Sequence, residues 1–195
     1  MKERGIAEMI LQSKYFGRIE FAEEKIITFE HGIIAFEGMK RFFIIDNEDE
    51  NNPLWWLQSV DDPEILFVVI NPFTFKPDYD FELLPQDAEE LEIEKPEDVV
   101  VLAIVVVPED IKQMTANLLA PVIINIRQRK GKQVVLQDKR YFTKHLIIEE
   151  LAKTQKARQT QQKTSARQMA KNRTGARKSS GEEECGHART NQKKR

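Results

Sequence analysis

Acidic side chains recur at every second position of PDYDFEL (77–83), where Asp78, Asp80 and Glu82 alternate with Tyr79, Phe81 and Leu83. Closely spaced carboxylates are the groups of oxygen-ligand metal sites and of acid–base hydrolysis, which makes this stretch the chain's first chemical candidate. Extended backbone puts the three acids on one face but holds them apart. Alternate Cα atoms of a strand lie ~6.6 Å from one another, so Asp78 and Glu82 are ~13 Å apart. A single cation needs oxygens at ~2.0–2.6 Å. EF-hand spacing also fails, for want of the loop glycine and the twelfth-position Glu. The stretch therefore reads as an aromatic face turned to a core and an acidic face turned to solvent.

The remaining chemistry-bearing residues are scattered. His31, His145 and His187 have no nucleophile or carboxylate at a recognisable spacing, and the one cysteine, Cys185, permits neither an internal disulfide nor a cysteine metal cluster. No Gly-rich phosphate loop, HExxH or CxxC motif occurs. The chain reads as non-catalytic, with no metal or cofactor; a carboxylate-based metal-binding or hydrolytic domain is the alternative.

Charge is segregated along the chain although the net value is only −2. Residues 46–110 carry nineteen acids and two bases, residues 111–147 one acid and eight bases, and residues 148–195 five acids and thirteen bases. With a Debye length of ~8 Å, neighbouring acids are only partly screened and would draw in a basic partner, such as a basic RNA-binding protein. The tail after about residue 147 is rich in Lys, Arg, Gln, Thr and Ser, and its last aromatic neighbour is Phe142. Lacking aromatics for base stacking, it is expected to be helical or disordered, with no sequence-specific nucleic-acid binding. The N-terminal MKERGIAEMILQ has its apolar run broken by Glu8, and no run approaches the ~20 apolar residues of a membrane span, so the expectation is a cytoplasmic protein with no membrane association.

The elements that must position these residues are short β-branched and aromatic runs at 15–21, 25–29, 41–46, 54–60, 65–70, 98–107, 121–127 and 132–137. Turn signals separate them, among them His31-Gly32, Asp61-Asp62-Pro63, Asn71-Pro72 and Lys130-Gly131. This pattern predicts an all-β fold, a compact antiparallel barrel-like domain, with one short helix near Asp87–Leu91. The domain is placed at 14–147, between an N-terminal extension (1–13) and a basic, polar tail (148–195). Trp55 and Trp56 must point to opposite faces of their strand, one into the core and the other under a loop or on a binding surface.

The stretch MTANLLAPVIIN (114–125) mixes apolar residues with Thr115, Asn117 and Asn125. By strand parity, Met114, Ala116, Leu118, Ala120, Val122, Ile124 and Ile126 would face the core. Thr115, Asn117, Leu119, Ile123, Asn125 and Arg127 would lie on the other side, with Pro121 at an edge or bulge. A helical turn over 115–119, capped by Thr115, is the rival reading. Both put the polar residues off the core.

LQSVDDPEILFVVINPFTFKPDYDFEL (57–83) and VVPEDIKQMTANLLAPVIINIRQRKGKQVVL (106–136), with KYFGRIEF (14–21), IITFEHGIIAFEG (26–38) and YFTKHLI (141–147), resemble the flagellar assembly factor FliW family. The resemblance implies a barrel-like β domain without catalysis that binds flagellin and the translational repressor CsrA in the cytoplasm, relieving repression of flagellin translation by switching partners. One departure stands out. Where many relatives have Pro-x-Gly-Ile-Pro-Gly-Phe-Glu, this chain has Glu30-His31-Gly32-Ile33-Ile34-Ala35-Phe36-Glu37, without the two prolines and the second glycine. Family-matching residues expected outside the core supply the candidate partner-binding set: Gln58, Ser59, Asp61, Asp62, Asp78 and Asp80, then Thr115, Asn117, Leu119, Pro121 and Asn125. The acids would suit the repressor's basic surface, and the mixed Asn117–Pro121 region would suit flagellin's amphipathic helices.

Overall fold

The computed structural model describes residues 8–47, 49, 52–154 and 156. The eight β-branched runs all contain strands, giving β2 (Gly17–Ala22), β3 (Ile27–Thr28), β4 (Arg41–Ile45), β5 (Leu54–Ser59), β6 (Leu66–Ile70), β7 (Val99–Val106), β9 (Val122–Asn125) and β10 (Lys130–Gln133). Three further strands are β1 (Glu8–Ser13), β8 (Thr115–Ala116) and β11 (His145–Leu146). The expected short helix is α1 (Pro85–Glu90), and residues 147–154 form a second helix, α2. The tail beyond residue 156, with His187 and Cys185, lies outside the described residues, as do residues 1–7.

β7, β6, β5, β4, β3, β10 and β9 follow one another as bonded neighbours, and β9 pairs back onto β7, so the sheet closes into a barrel. Every pairing is antiparallel except β3 with β10, which meet in parallel at Thr28 and Lys130. The ladder of β7 is divided. Its first half, Val99–Leu102, pairs with β9, and Val105 and Val106 pair with β8, to which β11 is added.

Strand alternation then sorts the core into layers. Phe29, Phe42, Leu57, Val69, Leu102, Val122 and Ile124 fill the lumen. Ile70, Ala103, Val105 and Ile123 face outward yet are buried, because Phe75, Tyr79 and Leu91 of the long 71–98 connection fold over them. Burial on both faces is why β7 has no polar alternation. A third cluster lies beneath the β1–β2 hairpin, where Phe21 stacks on Phe43 with centroids 4.0 Å apart. Trp55 packs with the lumen cluster, and Trp56, on the opposite face, meets Phe16 edge-on at 5.2 Å.

The parity reading of 114–127 holds for the first half and fails for the second. Ala116, Leu118 and Ala120 are buried as expected, and extended backbone at Thr115–Ala116 displaces the rival helical turn. From Pro121 onward both parities are buried, so Pro121, Ile123 and Asn125 are interior while Ile126 is exposed. The reason is that β9 has lumen on one side and the outer cluster, through Ile123, on the other.

The altered 30–37 turn keeps the geometry its missing residues would favour. Phe36 N–H donates to Ile33 O at 2.7 Å, and Ala35 adopts φ 69° while Ile34 does not have positive φ, which together define a type II turn. Pro and Gly are the preferred central pair of that turn, and Ile34-Ala35 replaces them here. In exchange, Ile34 N–H donates to Gln133 Oε1 at 3.0 Å, a bond that proline could not make. Gly32 (φ 71°) is irreplaceable for a second reason: a Cβ there would lie 2.7 Å from Glu37 Cα and 2.8 Å from Phe36 O.

A left-handed non-glycine residue costs ~1 kcal/mol. Ala35→Gly is expected to stabilise the domain by about that amount in urea unfolding, and Gly32→Ala to destabilise it by more. A destabilising Ala35→Gly would contradict the turn assignment.

Candidate partner-binding surface

A groove of about 380 Å³ joins lumen residues Ile33, Phe67 and Ile104 to the surface residues Ile34, Asn117 and Leu119. Its floor is built from backbone hydrogen bonds that no strand ladder supplies. Asn117 N–H donates to Ile104 O, and Asn117 Oδ1 accepts from Ala120 N–H at 3.0 Å, closing the bend before Pro121. Leu118 and Leu119 N–H both donate to Phe142 O, at 3.1 and 3.2 Å. Phe142 N–H in turn donates to His145 Nε2 at 2.9 Å, and the imidazole lies against the Phe142 ring with centroids 5.4 Å apart. Accepting that bond requires an unprotonated Nε2. Burial holds the His145 pKa below its ordinary 6.5; Glu150 opposes this and the nearby Lys76 and Lys153 assist it.

A larger groove of about 890 Å³ runs between two extended segments, residues 80–84 and 134–138, with the 139–140 turn at one end, and shares Val135 with the first. Tyrosines fasten its ends. Tyr141 Oη donates to Asp80 O at 2.8 Å and accepts from Asp80 N–H at 3.0 Å, and Tyr79 Oη donates to Leu118 O at 2.8 Å. Burial, with Tyr141 adding to it, raises the Tyr79 pKa far above its usual value, so the phenol remains a donor. Arg140 bridges Asp80 at 2.7 Å and Asp138 at 2.6 Å.

The candidate residues divide on this surface. Asn117 and Leu119 line the first groove and Asp80 the second, with Thr115 half-buried in β8 and Asp78 exposed. Gln58, Ser59, Pro121 and Asn125 are buried, and the expectation that they lie outside the core is corrected. Each polar one is consumed by the fold. Gln58 Oε1 accepts from Ser13 Oγ at 2.8 Å, and its Nε2 donates to the carbonyls of Ser59 and Ile65, both at 3.0 Å. Ser59 Oγ accepts from the N–H groups of Asp61 and Asp62. Asn125 donates to Leu91 O and Glu92 O and accepts from Arg127 and Gln128 N–H. Asp61 is also structural: its carboxylate accepts from Lys40 N–H, Arg41 N–H and Arg41 Nε. Partial burial works to raise its pKa, but these donors outweigh it and hold the pKa low. Asp62 Oδ1 accepts from Glu64 N–H at 3.0 Å.

The acidic segment is less open than its charge count implied. Among the described residues, Asp61, Glu64, Asp78, Asp80, Asp87, Glu90, Glu92 and Asp98 form ion pairs, chiefly with bases from outside the segment. Lys132 of β10 is largely enclosed, reaching Asp87 at 2.9 Å and pairing Glu90 as well, which docks α1 on the barrel. Glu82, Glu89, Glu94 and Glu97 stay exposed without an ion pair among the described residues. The groove-forming Ile34, Val135 and the 134–140 edge were missed by sequence reasoning. The signal for Ile34 was present in the family turn it interrupts.

Because folding depresses the His145 pKa, the unfolded chain takes up the proton first as pH falls below 6.5. The stabilising contribution is full above that value and is lost as pH falls through the lower folded-state pKa. His145→Gln, which keeps an acceptor for Phe142 N–H at any pH, is expected to flatten the fall in stability as pH drops below about 6.5. His145→Ala should cost ~1 kcal/mol at pH 8. Parallel profiles for wild type and His145→Gln would refute the role assigned to Nε2.

Residues 10–147 match the family model described as FliW protein. The flagellar assembly factor FliW of Alkaliphilus metalliredigens is 50% identical over 147 residues, covering 75% of this chain and 91% of that protein. The protein of the same name from Caldicellulosiruptor saccharolyticus is 49% identical over 146 residues, covering 75% and 95%. A crystal structure of the flagellar assembly factor FliW superposes with a TM-score of 0.67 at 38% identity, covering 71% of this chain and 96% of that one. With its closed barrel and its 10–147 match, this chain belongs to the FliW family of flagellar assembly factors.

Proposed function

We propose that this chain is a non-catalytic regulator that binds flagellin and a CsrA-type translational repressor in turn, so that the level of free flagellin sets how much repressor is captured. The observation that carries this reading is the open apolar groove at the barrel's Ile33–Ile34 end. Lumen residues normally closed off are continuous there with Ile34 and Val135, each 51% exposed, and Asn117 offers a polar rim. An amphipathic helix has the matching chemistry, apolar side chains at i, i+3 and i+4 with polar flanks. Flagellin's terminal helices fit that description. Repressor capture is assigned to the exposed acids Glu89, Glu94 and Glu97 around and after α1, where a cationic surface would find an unneutralised field.

Asp61 is left out of this assignment because its carboxylate is occupied by Lys40 and Arg41. No group of three or more His, Cys, Asp or Glu able to hold a metal occurs among the described residues.

Gel filtration of the purified chain with flagellin, with a CsrA-type repressor and with both is expected to give two separate complexes, flagellin displacing the repressor. Leu119→Asp should weaken the flagellin complex at least tenfold, a loss of about 1.4 kcal/mol, and leave the free domain folded. Reversing Glu94 and Glu97 to Lys should weaken repressor capture and steepen no salt dependence. Failure of both partners to co-elute would overturn the proposal.

A further inference from the structure

We propose that the slot between residues 80–84 and 134–138 receives an extended strand of a partner protein, apolar on one face and basic on the other. This goes beyond the helix-binding groove, with which it shares only Val135.

The argument begins with backbone accounting, since exposed N–H and C=O groups along a strand edge are a template for another strand. Residues 134–137 prolong β10. Their even members are satisfied on the β9 side, with Val134 N–H donating to Pro121 O at 2.9 Å and Leu136 N–H to Leu119 O at 2.8 Å. Their odd members face the opposite way, toward the side on which β3 pairs with β10 and then ends at Thr28. Val135 and Gln137 N–H consequently have no hydrogen-bond partner among the described residues. Two like donors two residues apart repeat at the spacing of a strand. A helix, whose backbone groups are internally bonded, has nothing to offer them.

Side chains define the rest of the occupant. Val135 and Leu84, 51% and 59% exposed, give apolar positions along the slot. Of the slot's three acids, Asp80 and Asp138 share Arg140, whereas Glu82, beside Leu84 on the 80–84 segment, has no ion pair among the described residues; the slot's other base, Lys139, lies in the 139–140 turn beyond the 134–137 edge and is likewise without one. An extended segment alternating apolar and basic residues therefore satisfies the backbone, the apolar floor and Glu82 together. The slot's volume of about 890 Å³ is in the range of natural ligand clefts, roughly 300–1,000 Å³.

The test is a titration of the ¹⁵N-labelled full chain with the peptide acetyl-Val-Lys-Val-Lys-Val-amide, read by amide shifts and hydrogen exchange. Exchange at Val135 and Gln137 is expected to slow at least fivefold at saturation, with shifts confined to 80–84 and 133–140. Glu82→Lys should weaken binding about tenfold. Val135→Pro, which deletes an N–H the fold does not use, should abolish it, and Glu82→Lys keeps the idea testable should Val135→Pro not fold. Unchanged exchange at both amides would overturn the proposal, as would equal binding of acetyl-Val-Glu-Val-Glu-Val-amide. So would protection that rises with protein concentration in the absence of peptide, since a second copy would then fill the slot. None of these outcomes depends on flagellin or the repressor, so this inference and the proposed function fail separately.

Discussion

Pairing of β9 with the first half of β7 is the constraint from which the rest of the architecture follows. It closes the sheet, which removes two edges and gives Leu102, Val122 and Ile124 a lumen to fill. Closure also forces the second half of β7 to find another neighbour, and β8 with β11 takes that place. The step from β8 to β9 is the segment 117–121, which turns across the barrel end instead of continuing a ladder. Its amides must then be satisfied one by one, by Ile104, Phe142 and Asn117 itself. Gln133 spans the gap between this crossing and the 30–37 turn, accepting from Ile34 N–H and donating to Ala120 O, and lines the groove between them.

The same closure explains the polar interior. With both faces of β9 covered, its last residue has no route to water, and a buried amide without partners costs about 1–3 kcal/mol. Asn125 solves this with four backbone partners, two carbonyls at the end of α1 and two amides of the following turn. It thereby pins the long 71–98 connection to the barrel. Gln58 and Ser59 perform the corresponding task under the β1–β2 hairpin, joining β5 to Ser13 and to the Asp61–Ile65 turn.

Local pattern was enough to read the eight β-branched runs, the short helix and the opposed tryptophans, because each rests on propensity and alternation within a few residues. β1 was not legible: Met9, Ile10 and Leu11 form too short an apolar run among polar neighbours, and it is a strand only because β2 pairs with it in full register. β8 and β11, of two residues each, exist through their partners alone. Parity misread Pro121, Ile123 and Asn125 since burial on a strand's second face is decided by segments far away in the chain. Charge was misjudged for a similar reason. Counting acids along 46–110 omits Lys14, Arg41, Lys130, Lys132 and Arg140, which sequence distance hides and folding delivers. Among the candidate residues, Asn117 and Leu119 lie off the core as strand parity expects, whereas Gln58, Ser59 and Asn125 are buried because a polar side chain need not be an exposed one.

Under the proposed function, a helical partner docks at the end of the barrel where Ile33, Ile34, Asn117 and Leu119 converge. Hydrogen–deuterium exchange of the full chain, alone and saturated with flagellin, addresses it most directly. Added protection is expected in 33–36 and 117–120, with the β1–β2 hairpin unchanged. Protection confined to the hairpin or to α1, with the barrel end exchanging as in the free chain, would contradict it.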